Sequence, residues 1–164
     1  MTLLDKEPVK RVQKALKNYS DKLEVIELKT SARTAKEAAV SLECEVGAII
    51  KSLLFKSEKY FFMCLVAGDK RCSLNKLKKI TNCNDVSMAN PEDVKKHTGY
   101  TIGGVSPIGH QETFKIIIDK SLERFENIYG AAGHPNCIFK IDFENLIKIT
   151  HGIREDIIEW DNQN

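Results

Sequence analysis

Apolar positions along the chain follow helical spacing in some segments and extended spacing in others. After Pro8, the segment VKRVQKALKNY carries apolar residues at helical spacing and predicts a first helix. Thr34 followed by Glu37 is the pattern of a capping box and predicts a second helix, TAKEAAVSLEC. Two apolar, β-prone runs, AIIKSLLF (48–55) and KYFFMCLVA (59–67), flank the short polar segment KSE and predict a β-hairpin.

The remaining segments complete the pattern. Helices are predicted at SLNKLKKI (73–80), at NPEDVKKH, and at FENLIKIT after a cap at Asp142, with a helical turn at SLERF. Further strands are predicted at LEVIEL (23–28), FKIIID (114–119), NIYGAA (127–132) and CIFKI (137–141), and the segment REDIIEWDNQN is predicted to be a short turn and a frayed tail. Six or seven strands mixed with four or five helices, without regular βαβ alternation, predict an α+β fold with a mixed or barrel-like sheet.

Composition narrows the class of protein. At 164 residues the default is one domain, 1–164, and 42% hydrophobic against 29% charged residues is the balance of an ordinary globular protein. A net charge of +2 excludes a histone-like electrostatic field but leaves room for a local basic patch. The N-terminal segment has no secretory h-region, and no run approaches the ~20 apolar residues of a membrane span. We therefore expect a soluble, cytoplasmic protein that does not bind a membrane.

The cysteines argue against a metal site. The chain has five of them, with no CxxC and no close Cys/His cluster. An odd number without ligand spacing is typical of free thiols in a reducing compartment. We therefore expect neither a metal nor any other cofactor.

Lys51 is the most unusual residue of the predicted hairpin. In a strand it shares one face with Ile49, Leu53 and Phe55, although lysine is seldom buried without a partner. One interpretation is a lysine whose stem runs along the sheet while its ammonium reaches water. The other is a lysine directed into a cleft, where it would hold a carbonyl, carboxylate or phosphate group. The residue alone leaves both open.

Two stretches rich in small residues could present backbone to a ligand. The first, TGYTIGGVSPIGH, holds three of the nine glycines within seven residues; the second, AAGHP, contains His134. Each could be a structural turn, with His134 an exposed loop residue. Tandem glycines also allow backbone N–H groups to approach an anion or a developing oxyanion closely. The phosphate-binding motifs GK[ST] and GxGxxG do not occur, and neither does the nucleophile motif GxSxG of hydrolases. The other three histidines lack a catalytic motif.

Basic residues form clusters between the hairpin and the glycine stretch. They are Lys70, Arg71, Lys76, Lys78, Lys79, Lys95 and Lys96. On amphipathic helices such residues are usually the solvated face. If they border one cleft, they would suit a phosphate backbone.

Five segments, taken in order, resemble the YbaK/ProX family. They are IIKSLLFK, VAGDKRCSLNKLKKI, MANPEDVKKHTGYTIGGVSPIGH, IIIDKSL and YGAAGHPNCIFKIDFENLIKIT. These are bacterial trans-editing aminoacyl-tRNA deacylases related to the insertion domain of prolyl-tRNA synthetase. The resemblance covers roughly residues 20 to 155. The combination of a strand lysine with TGYxxGGxSPxG is specific, whereas either alone would be weak.

The resemblance implies a compact α+β domain with a mixed, partly barrel-like sheet. It implies hydrolysis of the ester that joins a wrong amino acid to the 3′ end of a tRNA, with a tRNA(Pro)-type or related species as substrate. A synthetase is a further implied partner, and DNA is not. The family's lysine falls on Lys51, and a neighbouring ribose hydroxyl is implied to help activate the attacking water.

The other implied site residues come from the two small-residue stretches. The family's glycine-loop motif falls on Gly103, Gly104, Val105, Ser106 and Pro107, and its substrate loop falls on Ala132, Gly133 and His134. Since an aminoacyl ester is already activated, such a site needs only to position water and stabilise the oxyanion. A non-catalytic module that binds tRNA or a synthetase is one alternative. An unrelated small-molecule hydrolase or anion-binding protein is another.

Overall fold

A computed structural model describes residues 2–159. Within them, the α-helices are α1 (Glu7–Tyr19), α2 (Ala35–Leu42), α3 (Leu74–Thr81), α4 (Pro91–Thr98) and α5 (Phe143–Thr150). The strands are β1 (Ile26–Glu27), β2 (Ile50–Ser57), β3 (Phe61–Ala67), β4 (Val86–Met88), β5 (Lys115–Asp119), β6 (Ile128–Ala131), β7 (Cys137–Ile141) and β8 (Ile153–Glu155). Short 3₁₀ helices occupy Leu3–Asp5, Val46–Ala48 and Lys120–Arg124. The predicted α+β class is confirmed.

The helix starts follow the sequence signals. Thr34 and Glu37 form the predicted capping box: the Glu37 N–H donates to the Thr34 hydroxyl at 3.1 Å, and the Thr34 N–H donates to the Glu37 carboxylate at 3.2 Å. Ser73, Asn90 and Asp142 accept in the same way from the N–H groups three residues later. Each cap satisfies one N–H that the first helical turn leaves unpaired.

The strands form two sheets rather than one. Five strands follow the order β4-β2-β3-β5-β8, and three follow the order β1-β7-β6. The predicted hairpin is the antiparallel pair β2–β3, with Lys51 opposite Val66, while β3–β5 and β5–β8 are parallel. An isolated parallel bridge between Ile49 and Tyr129 joins the two sheets and gives the partly barrel-like arrangement.

Apolar side chains cover both faces of the five-stranded sheet. Ile50 and Leu54 belong to the larger cluster, which fills the space between the two sheets and helix α1. Leu53 and Phe55, at the alternate positions of β2, belong to a second cluster with Leu77 of α3. This burial on both sides explains why β3 reads as a continuous apolar run.

Three segments differ from the sequence-based prediction. In LEVIEL only Ile26 and Glu27 are paired with β7. Strands β4 and β8, of three residues each, were not predicted, and two residues of β8, Arg154 and Glu155, lie in the segment predicted to be a turn. Both are too short to show alternation and form because they pair with β2 and β5. The last five residues of the predicted tail, 160–164, lie outside the described residues. None of the helices within 2–159 combines the length and apolar character that crossing a membrane requires.

Candidate functional site

A cavity of about 260 Å³ opens where the two sheets meet. Most of its lining comes from four segments: 32–35 at the start of α2, 49–53 at the start of β2, Ile102, Gly103 and Val105 of the glycine stretch, and 129–131 of β6. The fold thus brings together segments that are far apart in sequence. The volume is below the usual range for drug-sized ligands, so the cavity suits a small group.

Lys51 lies at this cavity, at the start of β2. Its stem lies on the strand face of Leu53 and Phe55, and its ammonium donates a hydrogen bond to the carbonyl oxygen of Lys70. Burial lowers the pKa of Lys51 below its ordinary value, because the charged form loses water. An ammonium has three N–H donors, and within residues 2–159 only the Lys70 carbonyl accepts from this one. Two donors therefore remain for a ligand.

The tandem glycines form a tight turn at the rim. The Gly104 N–H donates to the Thr101 carbonyl at 2.9 Å, and Gly103 has φ +96°, as the third residue of a type II turn requires. A Cβ on Gly103 would also lie 3.0 Å from the Arg33 side chain. The Gly104 N–H is therefore hydrogen-bonded within the turn and is not available to a ligand. The N–H groups of Gly103 and Val105, which line the cavity, have no acceptor among the described residues.

The second small-residue stretch packs directly behind this turn. The Gly133 N–H donates to the Gly104 carbonyl at 3.0 Å, and a Cβ on Gly104 would lie 2.8 Å from the His134 backbone nitrogen. Gly133 has φ +87°, and a Cβ there would lie 2.7 Å from the Pro8 backbone. Glycine is required at both positions because backbone approaches backbone.

The predicted site residues are divided by the structure into two groups. Lys51, Gly103 and Val105 line the cavity. Gly104, Ser106, Pro107, Ala132, Gly133 and His134 are not among its lining residues. His134 is half-buried, and its Nδ1 accepts from the Asn136 N–H at 3.0 Å within its own loop. In this arrangement the second group supports the first, and the functional role of each residue stays a prediction.

Residues at the far end of the glycine stretch hold it in place. Ser106 is fully buried, and His110 Nε2 donates to its carbonyl oxygen at 2.7 Å. Burial lowers the His110 pKa to about 4, so this ring is neutral at pH 7. The Tyr100 hydroxyl donates to the carbonyl oxygens of Ile108 and Gly109, at 2.7 and 2.8 Å.

Arg11 of helix α1 fastens both ends of the same stretch. Its guanidinium donates to the carbonyl oxygen of Gly99 at 2.9 Å and to that of Gly109 at 3.1 Å. It also lies 4.8 Å from the centre of the Tyr100 ring. This role was not predicted, because an arginine in an amphipathic helix is usually a solvated residue.

Two further cavity residues were not singled out from the sequence. Arg33 is exposed at the rim beside Gly103. Ser52 follows Lys51 in the strand, and its buried hydroxyl has no hydrogen-bond partner among residues 2–159. An unpaired buried hydroxyl costs free energy that a bound acceptor would recover. Among residues 2–159, Ser52 and Ser121 are the only residues with a buried side-chain polar atom that lacks a hydrogen-bond partner. Only the structure reveals this signal.

Residues 2–159 contain no cluster of metal-ligating side chains. No three His, Cys, Asp or Glu side chains there come together in a way that would hold a metal ion. Arg33 and Lys51 are the only charged residues that line the cavity within the described chain. The site thus offers donors and cations, and no carboxylate or imidazole.

Comparison with known proteins places this site in a family. Residues 29–149 match the family model described as "Aminoacyl-tRNA editing domain". The chain belongs to the aminoacyl-tRNA editing domain family. The match includes Lys51, the glycine stretch and the AAGHP loop, and the predicted resemblance is confirmed. Editing of an aminoacyl-tRNA is hydrolysis of its ester, so the prediction of an enzyme is confirmed at the level of the family.

Individual relatives agree with this editing-domain assignment. The "Uncharacterized protein YwhH" of Bacillus subtilis is 30% identical over 139 residues, which are 84% of this chain and 88% of that protein. The protein named "Putative Cys-tRNA(Pro)/Cys-tRNA(Cys) deacylase EbsC" of Enterococcus faecalis is 28% identical over 73% of both chains. The "Proline--tRNA ligase" of Lactobacillus acidophilus is 33% identical over 65% of this chain, which spans 19% of that ligase.

A solved structure supports the same fold for the editing domain. It is described as the "Crystal structure of a putative trans-editing enzyme for prolyl tRNA synthetase" and is 36% identical. The superposition covers 94% of this chain and 99% of that one, with a TM-score of 0.89. The two-sheet arrangement is therefore an experimentally observed fold of relatives.

Proposed function

We propose that this editing domain removes a small, wrongly attached amino acid from a tRNA(Pro)-type tRNA by hydrolysing the ester at its 3′ end. One observation carries the proposal: Lys51, Gly103 and Val105 line the same small cavity, and the N–H groups of Gly103 and Val105 have no acceptor among residues 2–159. The names of the relatives, proline–tRNA ligases and a Cys-tRNA(Pro)/Cys-tRNA(Cys) deacylase, support the choice of tRNA. Likeness to the trans-editing structure supports action in trans, with a synthetase as a further partner.

The aminoacyl side chain would occupy the apolar part of the cavity. Apolar lining comes from Ile49 and Ile50 of the β2 segment, Val105 of the glycine stretch and Ala131 of β6. Such a pocket admits small side chains and excludes larger ones by its volume. A single pocket separates amino acids that differ by one methylene by only about 1–3 kcal/mol, and a second, hydrolytic sieve makes up the difference.

The chemical step needs an oxyanion site and a path for one proton. Water attacks the ester carbonyl carbon, a new C–O bond forms, and the bond to the ribose oxygen breaks. The N–H groups of Gly103 and Val105, with the Lys51 ammonium, would stabilise the negative charge on the carbonyl oxygen. No lining residue of the described chain is an Asp, Glu or His. The water's proton therefore passes to the leaving ribose oxygen through the substrate's own vicinal hydroxyl.

A panel of mischarged tRNAs tests this function. Single-turnover hydrolysis is measured with tRNA(Pro) carrying Ala, Cys, Pro or Phe, and with another tRNA carrying the same amino acids. We expect acceleration over spontaneous hydrolysis for a small amino acid on tRNA(Pro), and none for a larger aromatic one. Binding of the tRNAs without acceleration of any ester would instead identify a non-catalytic module.

A further inference from the structure

A second cavity, of about 400 Å³, lies beside the 3₁₀ turn that follows strand β5. Five side chains line it: Lys70, Lys120, Ser121, Glu123 and Arg124. Three of the five are cations and one is a hydroxyl. The two cavities have no lining residue in common within the described chain. They are connected at Lys70, which lines the second cavity and whose carbonyl accepts from Lys51 of the first.

Two carboxylates near this cavity, Asp69 and Glu123, are paired with arginines, and a third, Asp119, accepts the backbone N–H groups of Ser121 and Ile157. Arg124 holds Asp69 through two hydrogen bonds, of 2.7 and 3.1 Å, and Arg154 pairs with Glu123. Lys120 is half-buried, and none of the residues from 2 to 159 forms an ion pair or hydrogen bond with its ammonium. The Lys120 ammonium therefore has no carboxylate partner among the described residues and would attract an anion.

A buried hydroxyl adds a specific contact. Ser121 is 6% exposed, and its Oγ has no hydrogen-bond partner among the described residues. Its backbone is fixed at both ends, since its N–H donates to Asp119 at 2.8 Å and its carbonyl accepts from Arg124 Nε at 2.7 Å. The hydroxyl is thus held in place without an acceptor. An oxygen-rich anion would provide one.

Position relates this cavity to the editing site. The turn Val46–Ala48 lies between them, because it leads into Lys51 on one side and Gly47 packs against Arg124 and Phe125 on the other. Lys51 fixes the backbone of Lys70, whose side chain lines the second cavity. The two cavities are thus neighbours, and one strand occupies both only if its end lies in the first cavity and one of its next phosphates reaches the second.

We propose that the second cavity binds a phosphodiester group of the tRNA acceptor strand while the esterified end occupies the first. The inference rests on the proposed function for the identity of the strand. A phosphodiester carries the negative charge that Lys120 attracts and the acceptor oxygens that the Ser121 hydroxyl needs. The site contributes affinity and register, and no base specificity.

Binding of an RNA minihelix, with an acceptor stem and a single-stranded 3′ end, tests this site. Fluorescence anisotropy over a range of salt concentrations is measured for the unaltered protein, Lys120→Gln and Ser121→Ala. The matched control is Lys115→Gln, which removes the same charge from the exposed opposite end of β5. Because no ester is hydrolysed in this assay, its result does not depend on whether the protein deacylates the substrates of the panel.

We expect Lys120→Gln to weaken binding about three- to tenfold at low salt. The slope of log K against log salt should fall by about 0.7, the value for one phosphate of a single strand. Ser121→Ala should weaken binding while the melting temperature stays equal or rises, whereas a structural hydroxyl would lower it. Lys115→Gln should change neither minihelix binding nor the melting temperature.

Two results would overturn the assignment. One is an equal effect of Lys120→Gln and Lys115→Gln on minihelix binding, which would mean that only the overall charge matters. The other is binding of inorganic phosphate, seen as shifts of the Lys120 and Ser121 amide signals, with no effect of Lys120→Gln on the minihelix. That result would identify a site for a small free anion.

Discussion

Replacement of Lys51 by methionine tests the proposed editing site most directly, because methionine keeps an apolar stem and removes the ammonium. One of the three N–H donors of Lys51 is occupied by the Lys70 carbonyl, which leaves two for the ester. Loss of one oxyanion donor typically lowers the rate about 10²–10³-fold, or about 2.7–4 kcal/mol. We expect Lys51→Met to lose at least this much in single-turnover hydrolysis.

The stability of Lys51→Met should change much less than its activity. The substitution removes the hydrogen bond to the Lys70 carbonyl, and bonds of this charged type contribute about 1.5–3 kcal/mol. It also removes a partly desolvated cation, which stabilises the variant. The two effects oppose each other, so we expect the free energy of unfolding to change by no more than about 1–2 kcal/mol.

The pH dependence of stability gives a second signature of Lys51. Burial lowers its pKa in the folded chain, whereas the unfolded chain keeps the ordinary value of 10.5. In the window just below pH 10.5 the unfolded chain binds more protons, so stability contributed by this group rises with pH. The rise should be absent from Lys51→Met, and urea unfolding at several alkaline pH values measures it.

Lys56→Met is the matched control, because Lys56 lies in the same strand and is exposed. Hydrolysis of a mischarged tRNA and thermal unfolding are measured for both variants. Lys56→Met should keep the unaltered rate. A near-normal rate in Lys51→Met, or inactivity together with a loss of most of the stability, would mean that Lys51 supports the fold and the proposed mechanism is wrong.

Four other predictions follow from the site. Ser52→Ala should lower kcat/KM about three- to tenfold without loss of stability, because the hydroxyl has no partner to lose; an unchanged kcat/KM would contradict this. The folded-state pKa of about 4 for His110 lies below the ordinary 6.5, so its contribution to stability should be lost as pH falls from 6.5 to 4, and His110→Gln should flatten that part of the urea-unfolding profile. Hydrolysis should persist in EDTA, and loss restored by zinc would refute a metal-free site. His134→Ala should alter the relative rates with different amino acids, and unchanged relative rates would leave His134 with only its bond to Asn136.

Local signals in the sequence predicted most of the fold. The capping box at Thr34 and the hairpin around KSE involve residues close in sequence, and the structure confirms both. Strands β4 and β8 depend on partners far away in the chain: Met88 pairs with Phe55, and Ile153 pairs with Ile117. Three residues carry too little alternation to predict such pairing.

The sequence predicted those site residues whose type is energetically unfavourable in its local secondary structure. A lysine between apolar strand residues and a pair of adjacent glycines both contradict local preference, and Lys51 and Gly103 line the cavity. Arg11 and Ser52 agree with the local preferences of their elements, because arginine is common in an amphipathic helix such as α1 and serine is tolerated in a strand such as β2. Their importance arises from partners about 90 residues away and from an unpaired hydroxyl, and sequence order reveals neither.

The hydrogen bonds of the glycine stretch explain why it presents donors rather than acceptors. Most of its backbone carbonyls are occupied inside the protein: those of Thr98, Gly99, Thr101, Gly104, Ser106, Ile108 and Gly109. Arg11, Tyr100 and His110 supply many of the donors, and each is held by its own packing. The N–H groups of Gly103 and Val105 have no such partner among residues 2–159. A loop whose carbonyls are mostly paired, and whose amides at Gly103 and Val105 are not, would present positive potential to the cavity, as an ester carbonyl acquiring negative charge requires.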